Sequence, residues 1–318
     1  MSVPRQSAVV FGYHSVGTRA LTALIDLGVD VRLLVTHDHD PAETQWFENI
    51  RDVADWEGIP WVTPNDPNDR ATLGHVQAVA PDWIFSFYYR RMLSPELLAI
   101  PPRGAYNLHG SLLPKYRGRV PVNWAVLHGE QETGMSLHRM VRKPDAGAVV
   151  DHERVPILTN DTAYGVFQRL VCAGEILLLR AVPRMLAGTH RETPLDLGVG
   201  SYFGGRRPED GRIDWRWPCW QVHNLIRAVA PPYPGAFFDY AGVRIEVLGS
   251  WYRNDAPAGG ARPRIYWEDN DCFADCLDGQ RLRLTRIECD GTPLNVKRAT
   301  RLFGRAEISL DGDLRVDA

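Results

Sequence analysis

The stretch AVVFGYHSVGTRALTALIDLGVDVRLLVT, residues 8–36, has the pattern of a strand, a helix and a second strand. Residues 8–12 are a short apolar run of the kind that forms a buried strand. Apolar residues then recur at helical spacing over residues 16–27, and Gly28 supplies a stop signal for that helix. Residues 31–36 predict the second strand. Units of this kind build parallel sheets that are covered by helices on both faces.

The same alternation continues along the chain. Residues 43–57 repeat the helical pattern, and residues 83–88 and 105–109 are two further short apolar strands. Between those strands, Ser94 can cap a helix and Pro95 suits its first turn. The sequence therefore predicts an α/β fold with a doubly wound, mostly parallel sheet.

The character of the sequence changes in its last third. Residues 198–211, GVGSYFGGRRPEDG, are rich in glycine, arginine and proline and have the composition of a linker. We expect a first domain over residues 1–197 and a smaller, β-rich, OB-like domain over residues 212–318. Hairpin patterns at 237–252 and 280–294 support the second domain.

Composition restricts the class of protein. The chain has 318 residues, of which 44% are hydrophobic and 24% charged, which is enough for two globular cores. No stretch approaches the roughly 18 consecutive apolar residues of a membrane span, and the first residues lack the pattern of a secretory signal. We therefore expect a cytoplasmic protein with no membrane partner.

Two polar side chains interrupt the predicted strand at 105–109. Because side chains alternate along a strand, Asn107 and His109 face the same side. They lie at the carboxyl end of the strand, where open α/β sheets bind ligands, and Gly110 follows them. The pattern fits a site for a ligand about as well as it fits a buried histidine beside a turn.

Asp145 is the third candidate, in a turn between two predicted strands. An aspartate is common in turns, but a carboxylate near His109 would raise the pKa of the ring and favour the imidazolium. Asn107 and a protonated His109 could then donate hydrogen bonds to an oxygen that becomes negative during acyl transfer to an amine.

Residues 105–150, AYNLHGSLLPKYRGRVPVNWAVLHGEQETGMSLHRMVRKPDAGAVV, resemble the active-site core of the enzymes that transfer a formyl group from 10-formyltetrahydrofolate. The resemblance extends through SFYYRRML, SYFGGRRPEDGRIDW and IRAVAPPYPGAFF, and so covers most of the chain. Within that family, the chain is most similar to the formyltransferase part of the bifunctional UDP-4-amino-4-deoxy-L-arabinose enzyme of lipid A modification. The length leaves no room for that enzyme's dehydrogenase domain, so we expect a stand-alone formyltransferase.

The resemblance implies roles for particular residues. His109 would transfer the proton, Asn107 would stabilise the oxyanion, and Asp145 would raise the pKa of His109. It implies 10-formyltetrahydrofolate as co-substrate, a nucleotide-linked aminosugar as acceptor, and no metal. The implied folate contacts are Arg91, Met92, Leu93, Arg119, Val141, Arg142, Lys143, Pro144 and Asp145.

Arg206 and Arg207 are candidates for contact with the acceptor. Their forked guanidinium groups suit a diphosphate. A salt bridge within the linker, to Glu209 or Asp210, would explain the two arginines equally well.

Methionyl-tRNA formyltransferase is the alternative within the family. An enzyme that binds tRNA needs a basic face, whereas this chain has a formal charge of −3. Residues 36–60 hold seven acidic residues and one arginine, where the resemblance implies a basic insertion in tRNA enzymes. Those enzymes usually have a small residue at the position of Arg119. Both observations favour a small aminosugar.

Two classes of protein outside this family are further alternatives. FGYHSVG could open a dinucleotide-binding unit of an NAD-dependent oxidoreductase, but its glycines have the spacing Gly12-x-x-x-x-Gly17 and not G-x-G-x-x-G. A non-catalytic module that binds nucleotide sugars is the other class, and the intact set of Asn107, His109 and Asp145 argues against it.

Overall fold

The computed structural model describes residues 5–39, 45–255, 259–260 and 262–310. The chain forms two compact units, whose segments are interleaved along the sequence. The first unit comprises Met1–Pro121, Thr133–Val155 and Gln168–Gly204, and the second comprises Val122–Glu132, Pro156–Phe167 and Gly205–Ala318. Each domain predicted from the sequence is continuous along the chain. In the structure, the short segments Val122–Glu132 and Pro156–Phe167 belong to the second unit instead of the first.

Up to residue 203 the chain is built of strands and helices, which alternate strictly as far as residue 109, as the sequence predicts. The strands in this part are β1 Ser7–Gly12, β2 Asp30–Val35, β3 Trp61–Val62, β4 Trp83–Phe87, β5 Ala105–His109, β6 Arg117–Gly118, β7 Glu132–Arg139, β8 Val149–Pro156 and β9 Tyr202–Phe203. The helices are α1 His14–Asp26, α2 Ile50–Trp56, α3 Arg70–Val79, α4 Pro95–Leu98, α5 Pro121–Leu127 and α6 Ala163–Leu186.

The sheet of the first unit has the strand order β3-β2-β1-β4-β5-β7-β8. The pairs from β3 to β5 are all parallel, and β7 runs antiparallel to β5. The chain leaves β1 for β2 on one side and later returns to β4 on the other, so the carboxyl ends of β1 and β4 form a switch point where such sheets bind ligands. The predicted doubly wound, mostly parallel α/β fold is confirmed.

The two glycines of the FGYHSVG motif are explained by packing. A Cβ added to Gly17 of α1 would lie 3.3 Å from the Phe87 carbonyl oxygen and 3.3 Å from the backbone of Gly12. A Cβ on Gly12 would lie 2.6 Å from the end of the Ile50 side chain. Glycine therefore lets α1 approach the ends of β1 and β4 closely. This spacing needs no bound dinucleotide to account for it.

The helix predicted over residues 43–57 begins later than expected. Helix α2 starts after Asn49, whose side chain accepts a hydrogen bond from the first turn. Trp46 and Phe47 instead pack on the His14 ring, with centroid distances of 4.6 and 3.9 Å. The two aromatics fit the helical pattern that continues at Ile50. Their partial burial is explained by the contact with His14, and they are not part of the helix. Residues 43 and 44 of the prediction lie outside the described residues.

The chain after residue 205 forms an antiparallel, β-rich domain, as predicted. It contains a 3₁₀ turn at Pro208–Gly211, α7 Cys219–Val229, β10 Ala236–Tyr240, β11 Val243–Trp251, β12 Arg264–Glu268, β13 Asp271–Asp275, β14 Arg281–Cys289, β15 Thr292–Pro293, α8 Val296–Phe303 and β16 Ile308–Ser309. The strand order is β10-β11-β14-β13-β12-β16, with β15 paired to β14. Both predicted hairpins are present, as β10–β11 and β14–β15. None of the helices described here is long and apolar enough to cross a membrane.

Candidate active site

The register between β5 and β7 assembles the candidate site. Asn107 lies opposite His138, and His109 lies opposite Ser136. Residues that face each other in an antiparallel pair point to the same side of the sheet. Four polar side chains from two strands therefore share one face at the carboxyl end of β5. The alternating residue Leu108 is buried on the other face.

His138 links the amide of Asn107 to the site. The Nδ1 of His138 lies 3.0 Å from the carbonyl oxygen of Arg139 and must donate to it, because a carbonyl can only accept. The other ring nitrogen, Nε2, then accepts a hydrogen bond of 3.1 Å from the Asn107 amide. An amide has two N–H groups, so the contact with His138 uses one and leaves the second for a ligand.

His109 is almost completely enclosed, with 7% of its surface exposed. Its Nε2–H donates to the carbonyl oxygen of Tyr116 at 2.8 Å, and its Nδ1 lies 3.7 Å from Oδ1 of Asp145. Burial lowers the pKa of His109, and the nearby Asp145 carboxylate and Tyr116 carbonyl offset this effect only in part. As predicted, the Asp145 carboxylate acts to raise the pKa of His109, but burial outweighs this attraction, so the pKa of the ring lies below its ordinary value. The resting ring is neutral, with its proton on Nε2.

Asp145 lies in the predicted turn between β7 and β8. Its backbone has a left-handed φ of 48°, which is uncommon for a residue other than glycine. The carboxylate accepts the Gly118 N–H at 2.9 Å and lies 3.7 Å from His109 and 3.5 Å from His138. Burial acts to raise the pKa of Asp145, but attraction to His109 and His138 in their charged forms, together with the Gly118 N–H, outweighs it and holds that pKa below its usual range. Asp145 is therefore the anion of the site.

The structure brings Asn107, His109 and Asp145 together, as the sequence reasoning requires. That reasoning did not include His138. His138 is 2% exposed and contacts both Asn107 and Asp145. Its contribution depends on the register between β5 and β7, and the spacing of residues within one strand carries no signal for that register.

The residues implied to contact folate lie in three loop segments. Arg91, Met92, Arg119, Val141, Arg142 and Lys143 are exposed, and Pro144 is half-buried. Leu93 differs from them, because its side chain is buried in the core between the sheet and α4. Only the main chain of Leu93 is therefore open to a ligand.

Arg206 and Arg207 have different surroundings. The guanidinium of Arg206 lies over the ring of Trp124 at 5.1 Å and donates to the carbonyl oxygen of Asp210. Within the described residues, its Nε and Nη1 are buried and have no hydrogen-bond partner. For Arg207, the main-chain N–H and not the guanidinium binds the Asp210 carboxylate, at 2.7 Å. Arg206 is thus the better candidate for an anion of a ligand.

A metal site does not arise among the residues that the structure describes. No group of three or more histidine, cysteine, aspartate or glutamate side chains is arranged to hold an ion there.

Comparison with known proteins identifies both parts of the chain. Residues 6–182 match the family described as formyl transferase, and residues 206–304 match the formyl transferase C-terminal domain.

Solved structures with the same fold include sugar N-formyltransferases. An N-formyltransferase from Helicobacter canadensis, in complex with folinic acid and dTDP-3-aminofucose, is 18% identical with a TM-score of 0.70; the match covers 88% of this chain and 99% of that one. WlaRD, a sugar 3N-formyltransferase studied with dTDP and 5-N-formyl-THF, is 17% identical with a TM-score of 0.71 and coverages of 92% and 100%. A sugar N-formyltransferase from a Shewanella species is 15% identical, with a TM-score of 0.61 and coverages of 78% and 99%. At these identities the structures establish a shared fold. The matches to both family domains, over most of the sequence, show that the chain belongs to the formyl transferase family and is a formyltransferase enzyme.

Proposed function

We propose that this enzyme transfers the formyl group of 10-formyltetrahydrofolate to the amine of a nucleotide-linked 4-aminosugar, with UDP-4-amino-4-deoxy-L-arabinose as the first candidate. The observation that carries the proposal is a buried, neutral His109 held between the Tyr116 carbonyl and the Asp145 carboxylate, beside the Asn107 amide. Structural relatives in complex with formyl-folates and dTDP or a dTDP-aminosugar support it. The resemblance to the UDP-4-amino-4-deoxy-L-arabinose enzyme would place the reaction in lipid A modification of lipopolysaccharide.

The exposed residues around the site fit the chemistry of a folate. Met92 and Val141 expose 54% and 39% of their surface, and exposed apolar side chains suit contact with a flat ring system. Exposed cations adjoin them in the chain, Arg91 beside Met92 and Arg142 beside Val141, and suit the carboxylates of a glutamate tail. A bound 10-formyltetrahydrofolate supplies the formyl carbonyl and a nitrogen leaving group.

His109 acts as the base in this mechanism. Its Nε2–H is committed to the Tyr116 carbonyl, so the Nδ1 lone pair is the position that can receive a proton from the attacking amine. The imidazolium formed in this way lies 3.7 Å from Asp145, whose negative charge stabilises it. The sequence analysis expects a charged His109 ring before the reaction. In this mechanism the charged ring forms during the reaction.

Asn107 stabilises the negative charge that grows on the formyl oxygen. The amide is fixed by its bond to His138, and its second N–H is the donor available for that oxygen. A bond forms between the sugar nitrogen and the formyl carbon, and the bond from that carbon to the folate nitrogen breaks. His109 returns the proton from Nδ1 to the departing folate nitrogen, so the ring ends neutral.

Arg206 is the residue that we propose for the diphosphate of the acceptor. Two of its guanidinium nitrogens are buried without a hydrogen-bond partner in the described part of the chain, and burial lowers its pKa. An anion would provide the missing partners and offset the cost of burying the charge. Arg207, whose side chain is exposed, has the weaker case.

An assay with several candidate acceptors tests which of them the enzyme formylates. The enzyme is incubated with 10-formyltetrahydrofolate and, in separate reactions, UDP-4-amino-4-deoxy-L-arabinose, dTDP-4-aminosugars and methionyl-tRNA, and formylated products are measured by mass. We expect formylation of a nucleotide sugar and none of the tRNA, because the chain carries a formal charge of −3 and tRNA binding needs a basic face. Formylation of the tRNA alone would overturn the proposal.

A further inference from the structure

A chain of hydrogen bonds connects β8 to the loop that follows β5. It starts at His152, a half-buried histidine of β8. Nδ1 of His152 lies 2.8 Å from the hydroxyl oxygen of Ser136 on β7. Ser136 is the residue directly opposite the catalytic candidate His109 in the sheet.

The hydrogen-bond capacity of Ser136 fixes the direction of this chain. The Ser136 hydroxyl donates its one hydrogen to the carbonyl oxygen of Ser111 at 2.5 Å. Its oxygen accepts the main-chain N–H of Leu113 at 3.1 Å, which leaves one lone pair. His152 must therefore donate from Nδ1–H, and with this bond all three positions of the hydroxyl are used.

The loop held by Ser136 ends at the carbonyl that orients His109. The Ser111 hydroxyl donates to the carbonyl of Lys115 at 2.6 Å, and the main-chain N–H of Tyr116 donates to Ser201 at 2.8 Å. Tyr116 has a left-handed φ of 55°, which turns the loop so that its carbonyl reaches Nε2 of His109. A strained residue of this kind keeps its conformation only where neighbouring contacts hold it.

We propose that His152 is a positioning residue for catalysis, which acts through Ser136 and the 111–116 loop to hold the Tyr116 carbonyl on His109. The inference rests on the role of His109 in the proposed function. It adds a residue from a third strand, one that touches neither the substrates nor the reacting atoms. Loosening the loop lets the Nε2–H of His109 lose its partner, so that the ring spends less time in the tautomer that presents Nδ1 to the amine.

The charges around both histidines are accounted for in the test. Burial lowers the pKa of His152, Asp151 acts to raise it, and Arg154 acts to lower it. The other charged neighbour, Arg180 of α6, donates to the main-chain carbonyl of His152 and to the carboxylates of Asp151 and Glu153. Around His109 the groups that affect its pKa are Asp145, His138 and the Tyr116 carbonyl. Neutral substitutions of His152 leave all of these neighbouring groups unchanged.

The experiment compares His152→Leu with His152→Asn in the full-length enzyme. Leucine fills the space without a donor, whereas the amide nitrogen of asparagine occupies the position of Nδ1 and restores the N–H. Glu153→Gln is the control, because Glu153 lies next to His152 on β8 and its carboxylate forms an ion pair with Arg180 of α6. We measure kcat, KM for both substrates, the pH profile of kcat, and the thermal unfolding temperature.

We expect His152→Leu to lower kcat about tenfold with little change in KM for the acceptor, since the reacting groups are misplaced and the acceptor site is intact. The Tyr116 contact raises the pKa of His109, so a weakened contact moves the acidic limb of the kcat profile to lower pH. His152→Asn should restore both properties. Ser136→Ala should reproduce the effect, and the double variant with His152→Leu should fall no further, because the two residues act in one chain.

Two outcomes overturn the proposal. One is a His152→Leu enzyme with wild-type kcat and pH profile. The other is a loss of kcat that follows the unfolding temperature and is equal in His152→Leu and His152→Asn, which identifies a purely structural role. The variant His109→Ala separates this inference from the proposed function. An inactive His109→Ala enzyme beside an unaffected His152→Leu enzyme rejects the inference alone, whereas an active His109→Ala enzyme rejects the proposed site.

Discussion

The two units of the chain each contain a buried aspartate, and the two carboxylates have different kinds of partner. Asp275, at the end of β13, is completely enclosed and accepts hydrogen bonds from Nε of Arg264 at 3.0 Å and from the Tyr266 hydroxyl at 3.2 Å. Asp145 in the first unit keeps 14% of its side chain exposed and faces His109 and His138. Arginine is permanently charged, whereas histidine gains and loses a proton near neutral pH.

The comparison shows how the partners of a buried carboxylate indicate its use. The guanidinium of Arg264 stays charged and has no proton to exchange near neutral pH, so its pair with Asp275 offers no group that could take part in proton transfer. Two imidazoles and one backbone N–H leave the charge of Asp145 available to whichever ring becomes protonated. Burial alone does not distinguish a structural aspartate from one in an active site. The ability of the partner to exchange a proton does distinguish them.

The largest effect on turnover is expected for His109→Ala. Removing the base should lower kcat by about 10²–10⁴-fold, because proton transfer by a positioned side chain contributes a factor of this size. His75→Ala is the matched control, since His75 is exposed on α3. Steady-state kinetics with circular dichroism of both variants check this prediction, and a His109→Ala enzyme within a factor of three of wild type would falsify the assigned role.

A somewhat smaller loss is expected for Asn107→Ala. The variant removes a donor to the developing oxyanion, which typically costs about 10²–10³-fold in kcat. Because the interaction strengthens only in the transition state, KM for both substrates should change little. A raised KM with an unchanged kcat would instead assign Asn107 to substrate binding.

Asp145→Asn should lower kcat by about 10²-fold. Asparagine keeps the shape and can still accept the Gly118 N–H, but the imidazolium loses its counter-charge. The pH profile gives the sharper test. The acidic limb of wild-type kcat should lie below the usual histidine pKa of about 6.5, because burial lowers the pKa of His109 and the base must be neutral. Loss of the Asp145 charge lowers that pKa further, so the limb of the variant moves to still lower pH. A limb that moves upward contradicts the proposed coupling.

Asp275→Asn should have the smallest effect on turnover. Folded enzyme should keep wild-type kcat, because Asp275 forms its ion pairs with Arg264 and Arg281 of the second sheet. The free energy of unfolding should fall by about 3 kcal/mol, since the buried charge balance with Arg264 is broken. Chemical denaturation measures the loss. A drop in kcat per folded molecule would show that the comparison between the two aspartates is wrong.

Some features of the chain were decided by the sequence alone. The bounds of β5 at residues 105–109 agree with the apolar run in that segment. The alternation of strands and helices, both hairpins of the second unit, and the cap at Ser94 were likewise readable, because periodicity and turn chemistry act over a few residues. Asn107 and His109 were selected because two polar side chains are unusual at the end of a buried strand. Asp145 was selected because it lies in a predicted turn and in the segment that resembles the formyltransferase core.

Other features depended on tertiary structure. His138 entered the site through the pairing of β5 with β7, and no property of its own strand specifies that register. The neutral state of His109 results from burial by surrounding elements, which outweighs the nearby charge that the sequence reveals. Trp46 and Phe47 pack on His14 and so fall outside α2 despite their helical spacing. In each case the deciding contact joins residues far apart in the chain, so local patterns identify the chemical groups while the folded structure sets their partners, their charge and their use.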